Sequence, residues 1–149
     1  MIDLIFVDTN ILVYRRDLAA GSKQKQAEKW IRSLWKNKSG RLSVQVLNEF
    51  YTVVTHKLKP GLSHHEARDE VRDFMTWQPL PLTPGLIEEA WNIERSFNLS
   101  YWDSLIIAAA QATGCNTLLT EDLQDGQQIG AVRIVNPFKH EPDSLPRGG

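Results

Sequence analysis

The sequence predicts an α/β domain in which a central, mostly parallel sheet is covered by helices on both faces. Three observations lead to it. Short, nearly continuous apolar runs at residues 2–7, 116–120 and 132–135 have the length and composition of buried strands. Longer segments with apolar residues three and four apart lie between them and have helical periodicity. Acids stand where apolar segments stop: Asp8, Glu49, Asp103 and Asp122 each border one. Asp8 and Asp122 follow strands, at the carboxyl ends where parallel sheets bind ligands.

Each element has a local cause. After the strand at residues 2–7, Asp8, Thr9 and Asn10 suit the cap of a helix running through Ile11, Leu12, Val13 and Tyr14. Residues 21–38 form an amphipathic helix with Ala27, Trp30, Ile31, Leu34 and Trp35 on one side, and residues 42–44 begin the next element. Ser43 caps a helix over residues 44–58, whose core stripe is Val46, Phe50, Val53 and Val54, with Glu49 at its margin. Lys59, Pro60 and Gly61 break it, and Ser63 with Glu66 has capping-box spacing for a helix packed by Ala67, Val71, Phe74 and Met75. Residues 79–82 are a short edge-like segment. Thr83 and Pro84 start a helix carrying Leu86, Ala90, Ile93 and Phe97, which Asn98 stops. Ser100 begins a last helix, apolar nearly all round and therefore expected to be buried, Trp102 included, and Gly114 ends it. The strand at 116–120 ends at Glu121 and Asp122, and Pro137 stops the strand at 132–135. Residues 1–140 make the one domain expected, and residues 141–149, with two prolines and two terminal glycines, a flexible tail.

The 149 residues, 42% hydrophobic and 23% charged, suffice for one buried core without disulfides. The longest apolar runs, such as residues 105–110, are too short to cross a bilayer, which excludes a membrane protein. Cys115 is the single cysteine and no basic start with an apolar stretch and cleavage site precedes Ile2, so a reducing cytoplasm is expected. Cys115 itself reads as a small buried hydrophobe. The net charge of −1 hides an asymmetry: residues 1–60 hold eleven Lys and Arg against five Asp and Glu, and residues 61–149 hold six against thirteen. The basic excess gathers in Lys23, Lys25, Lys29, Arg32, Lys36, Lys38 and Arg41, with Arg15 and Arg16 nearby. Such a surface either holds the phosphates of a polyanion or is a solvated helix face.

Each acid has a structural explanation of its own. Asp8 caps a helix, Asp103 lies three after Ser100, Asp122 starts a turn with Asp125 and Gly126, and Glu49 pairs with an arginine. Together these require four unrelated accidents, whereas one cation site requires only that strand ends and neighbouring helices meet at one edge. Oxygen-only anionic donors suit Mg²⁺ or Mn²⁺ and not Zn²⁺, which favours His and Cys. Such an ion activates water and offsets charge on a phosphoryl group, making phosphodiester hydrolysis the natural reaction. The histidines compete poorly: His64 and His65 start a helix, His140 borders the tail, and His56 reads as structural or solvent-facing.

The segments Phe6-Val7-Asp8-Thr9-Asn10-Ile11-Leu12, Leu47-Asn48-Glu49-Phe50, Tyr101-Trp102-Asp103-Ser104-Leu105-Ile106 and Leu119-Thr120-Glu121-Asp122-Leu123 stand in an order and spacing that resembles the PIN-domain ribonucleases, especially VapC-type toxins, over roughly residues 1–138. The resemblance implies a three-layer α/β/α fold, Mg²⁺- or Mn²⁺-dependent endoribonuclease activity, a cognate antitoxin and a homodimer. Carried over residue by residue, it makes Asp8, Glu49, Asp103 and Asp122 the catalytic and metal-binding acids. Thr9 and Thr120 would offer hydroxyls, and Asn10 and Ser104 would orient Asp8 and Asp103. Asp125 would be a fifth member or a turn residue. Arg15, Arg16, Lys23 and Lys25, in the basic half, would hold RNA, and Tyr14, Trp30, Trp35, Tyr51 and Trp102 could stack unpaired bases, although helical spacing assigns Trp30 and Trp102 to the core. Two other classes stand beside it: a non-catalytic RNA- or protein-binding module, and a haloacid-dehalogenase-like phosphatase, which would want a second acid where Asn10 stands.

Overall fold

The computed structural model describes residues 3–145. Five short strands form one sheet: β1 (Ile5–Val7), β2 (Gly40–Arg41), β3 (Thr117–Leu119), β4 (Gln128–Ile129) and β5 (Val132–Val135), in the order β2-β1-β3-β5-β4. All pairs are parallel except β4 with β5, and Ile5, Phe6 and Val7 face Thr117, Leu118 and Leu119 in register. Six helices flank the sheet, giving the three-layer α/β/α architecture: α1 (Thr9–Arg16), α2 (Ser22–Asn37), α3 (Val44–His56), α4 (His64–Phe74), α5 (Pro84–Phe97) and α6 (Tyr101–Ala112).

The helices begin and end where side-chain chemistry directs. Asp8, Ser43, Ser63, Thr83 and Ser100 each accept a backbone N–H at a helix start, and Ser63 with Glu66 completes a capping box. α2 and α5 stop at left-handed residues, Lys38 with φ 55° and Asn98 with φ 53°. β1 and β3 are buried from both faces, Phe6, Val7, Leu118 and Leu119 having no exposed surface, which explains why they read as continuous apolar runs. α6 is buried from Ser104 to Ala110, as its composition requires; each of Leu105, Ile106 and Ile107 contributes roughly 1.5–3 kcal/mol of burial. Trp102 departs from that expectation and is 63% exposed, while Tyr101 beside it packs against the core. Trp30 is fully buried, its Nε1 donating to the Pro137 carbonyl at 2.9 Å.

Two strands go beyond the sequence expectation. β2 and β4 have two residues each, too few for any periodicity to register. β2 needs Gly40 because a Cβ there would lie 2.4 Å from the Trp77 ring. β4 turns into β5 through Gly130 at φ 57°. The edge-like segment at 79–82 contributes one parallel bridge, Ser43 to Leu80. Of the segment expected as a tail, residues 142–144 form a 3-10 turn, Glu141 pairs with Lys29 at 2.9 Å, and Leu145 packs against the core; residues 146–149 lie outside the described residues.

Candidate active site

Because β1 and β3 are adjacent and parallel, their carboxyl ends open on one edge of the sheet. Asp8 follows β1 there, Thr120 follows β3, and the Asp8 N–H donates to the Leu119 carbonyl at 3.0 Å. One Asp8 oxygen accepts the Thr9 N–H at 2.7 Å as the cap of α1, and the other accepts the Thr120 hydroxyl at 2.8 Å. The carboxylate is buried, and burial pushes it up to about 6; its bonds from Thr120 and Thr9 oppose the rise, and the charges of Asp122 and Glu49 add to it.

Glu49 reaches this point from α3. One of its oxygens accepts the Thr9 hydroxyl at 2.7 Å, and the other accepts the amide of Gln45, one turn earlier, at 2.9 Å. Thr120 Oγ1 accepts from the Asn10 amide at 3.4 Å and from the Asp122 N–H at 3.1 Å while donating to Asp8. All of its hydrogen-bonding capacity is used in tying β1, α1 and the loop after β3 together. Loss of hydration raises the Asp122 carboxyl, the Asn10 amide opposes the rise, and the charges of Asp103 and Glu121 add to it. Asp103 sits on the first turn of α6, its N–H donating to the Ser100 hydroxyl at 3.1 Å. The four acids are thus linked electrostatically in the order Glu49, Asp8, Asp122, Asp103.

None of the four forms an ion pair with Lys, Arg or His among the described residues. As placed, no three acidic, histidine or cysteine side chains among those residues surround a metal position. The donor set nevertheless fits a hard cation that keeps several waters and takes few protein oxygens directly. Its oxygens are anionic, and among the described residues they have no cationic partner and the buried Asn10 Oδ1 has no hydrogen-bond partner.

The remaining expected members divide. Thr9, Asn10 and Thr120 are at the site and orient the acids, Asn10 acting on Asp8 through Thr120. Ser104 is buried and donates to the Ser100 carbonyl at 2.8 Å, so it braces the start of α6 and makes no bond to Asp103. Asp125 braces the chain after β5 instead, where its carboxylate accepts the Asn136 N–H at 2.8 Å and lies 2.8 Å from His140 Nε2. Burial opposes these bonds, which still hold its carboxyl below the ordinary range. Arg15 pairs with Glu28 and Glu70, Arg16 with Glu70, and Lys23 with Glu121. Lys25 is exposed and makes no ion pair among the described residues. Sequence reasoning misses Gln45 and Glu121; Gln45 lies four before Glu49 on one helix, a spacing that could have flagged it.

The PIN-domain family model matches residues 5–124, and the chain belongs to that family. Three solved structures share its fold. A toxin–antitoxin complex from Klebsiella pneumoniae is 19% identical, with a TM-score of 0.65 over 91% of this chain and 98% of that one. FitAB bound to a DNA fragment is 19% identical, with a TM-score of 0.70 over 93% and 98%. VapC20 of Mycobacterium tuberculosis, a sarcin–ricin-loop-cleaving toxin, is 21% identical, with a TM-score of 0.57 over 79% and 89%. No sequence among curated proteins matches the chain significantly. Among the described residues, no helix is long and apolar enough to cross a membrane.

Proposed function

We propose that the chain is a cytoplasmic, metal-dependent endoribonuclease, the VapC-type toxin of a type II toxin–antitoxin pair. The observation that supports the reading is the electrostatic linkage of Asp8, Glu49, Asp103 and Asp122 at one sheet edge, with no cationic side chain paired to them among the described residues. Membership of the PIN family and the toxin–antitoxin assemblies among its structural neighbours support the reaction class and an antitoxin partner. Asp8, Glu49, Asp103 and Asp122 would hold Mg²⁺ or Mn²⁺, which when bound supplies an activated water and offsets charge at the phosphoryl group.

The chain's own groups do the rest. The Thr9 N–H and the Thr120 hydroxyl fix the two oxygens of Asp8, and the Thr9 hydroxyl with the Gln45 amide fixes those of Glu49, so these acids need little reorganisation when substrate arrives. Lys25, exposed on α2, draws the RNA backbone toward the molecule. Trp102, exposed beside Asp103, offers a stacking face to an unpaired base. In-line attack by water leaves a 5′-phosphate and a 3′-hydroxyl. A homodimer completes the proposed assembly. A haloacid-dehalogenase-like mechanism is disfavoured, because the position that needs its second acid holds Asn10, whose amide donates to Thr120.

The test is cleavage of unpaired RNA by purified protein with Mg²⁺ or Mn²⁺. The expected result is cleavage that EDTA stops and that Asp103→Asn, still folded, reduces by at least a hundredfold. Equal cleavage by wild type and variant contradicts the reading.

A further inference from the structure

Lys23, Tyr14 and Glu121 form a cluster at the rim of the acid site that the proposed reaction does not use. The two oxygens of the Glu121 carboxylate are divided between two donors: Oε1 accepts the Tyr14 hydroxyl, and Oε2 lies 2.8 Å from Lys23 Nζ. Lys23 is held from below by two rings, its ammonium 5.1 Å from the Tyr14 centroid and 5.2 Å from that of Phe138, and the rings meet edge to face. A cation and a hydroxyl are therefore fixed around a two-oxygen anion, and the anion is the chain's own.

Position relates this cluster to the site. Tyr14 lies four residues after Asn10 on α1, on the same face and one turn along, about 5.4 Å. Glu121 directly precedes Asp122, which sets Lys23 and Tyr14 beside the acids through the residue they hold. The pair is half-exposed, with Lys23 at 44% and Glu121 at 23%, so it adds little to stability. Burial raises the Glu121 carboxyl, but its bonds from Lys23 and Tyr14 lower it on balance, so these two donors are arranged to hold an anion, and a phosphate can compete for them.

We propose that Lys23 and Tyr14 form a cradle for the RNA phosphate next to the cleaved bond, and that Glu121 fills it until RNA arrives. The inference rests on the ribonuclease reading. Two carboxylate oxygens stand in for two phosphate oxygens, and RNA binding exchanges one anion for another on the same two donors, with no covalent bond made or broken. The exchange releases Glu121 to solvent and leaves Phe138 under the lysine stem. RNA lacking a phosphate at that position gains nothing from the cradle.

The pair makes opposite predictions for its two members, which a merely structural ion pair does not. Binding of a short unpaired RNA is read by fluorescence anisotropy in EDTA across a salt series, for wild type, Lys23→Gln, Lys23→Arg, Glu121→Gln and the double variant Lys23→Gln/Glu121→Gln. Lys23→Gln weakens binding about fivefold to tenfold and lowers the salt slope by ~0.7, the share of one single-strand phosphate contact. Lys23→Arg retains most of the affinity. Glu121→Gln tightens binding severalfold, and that gain disappears in the double variant. Thermal unfolding confirms that all four are folded. Weaker binding by both single variants, or an equal gain from Glu121→Gln with and without Lys23, overturns the cradle. Cleavage by the same wild-type sample separates the two ideas: binding with the expected pattern but no cleavage overturns only the ribonuclease reading, cleavage without the pattern overturns only the cradle, and no binding overturns both.

Discussion

Asp8 concentrates the electrostatics of the site in one side chain. Its ordinary value of 3.8 is raised to about 6 in the folded chain, first by burial. The folded state therefore binds the proton more tightly than the unfolded state, and stability falls as pH rises from about 4 to about 6. The gap corresponds to roughly 3 kcal/mol at neutral pH. Asp8→Asn is expected to remove that slope, leaving metal-free stability at pH 7 unchanged or higher, in urea titrations at pH 4.5 and 7; a large loss at pH 7 would mean that the carboxylate serves the fold. Asp8 was legible in the sequence because a polar residue stops an apolar run. Asp125 was not placed, because its partners Asn136 and His140 lie eleven and fifteen residues further on, beyond any local pattern. Trp102 misled for a related reason: its neighbours are apolar, and only packing reveals that its side chain is exposed while Tyr101 beside it packs against the core.

Among the elements, α6 joins a cap to a proposed site acid. The Ser100 hydroxyl accepts the N–H of Asp103 itself, so the residue that starts the helix also holds the backbone of that acid. Ser100→Ala is expected to cost about 1 kcal/mol in denaturant unfolding and to lower cleavage more than that loss alone explains. A cost in stability with cleavage untouched would detach the cap from the site. α1, α2 and α4 are tied by a different device. Glu70, 7% exposed, lies 3.0 Å from Arg15 and 2.6 Å from Arg16, and Arg15 also meets Glu28 at 2.6 Å. Removing the acid shared by two arginines leaves Arg15 with Glu28 and Arg16, 36% exposed, with no paired acid among the described residues, so Glu70→Gln is expected to cost about 1–3 kcal/mol in a urea titration. The helices were legible from caps and periodicity, with ends shifted by a residue or two. The role of Arg15 and Arg16 was not, since Glu70 stands more than fifty residues away.

For the whole molecule, the sheet order accounts for the meeting of residues far apart in the chain. β1 and β3 lie side by side, which brings Thr120 to Asp8 across 112 positions, while α3 and α6 deliver Glu49 and Asp103. The alternation of strands and helices made a parallel sheet legible, but not β2 or β4, whose two-residue lengths carry no period. β2 is nonetheless sensitive: Gly40→Ala drives a Cβ into the Trp77 ring, and a lower thermal midpoint is expected, whereas no change would mean that Trp77 yields freely. The central claim is that four distant acids form one cation site. Calorimetric titration of the folded wild type, Asp8→Asn and Asp103→Asn with Mn²⁺ tests it most directly. The account predicts saturable binding by wild type and at least tenfold weaker binding by each variant; no binding by wild type, or equal binding by all three, contradicts it.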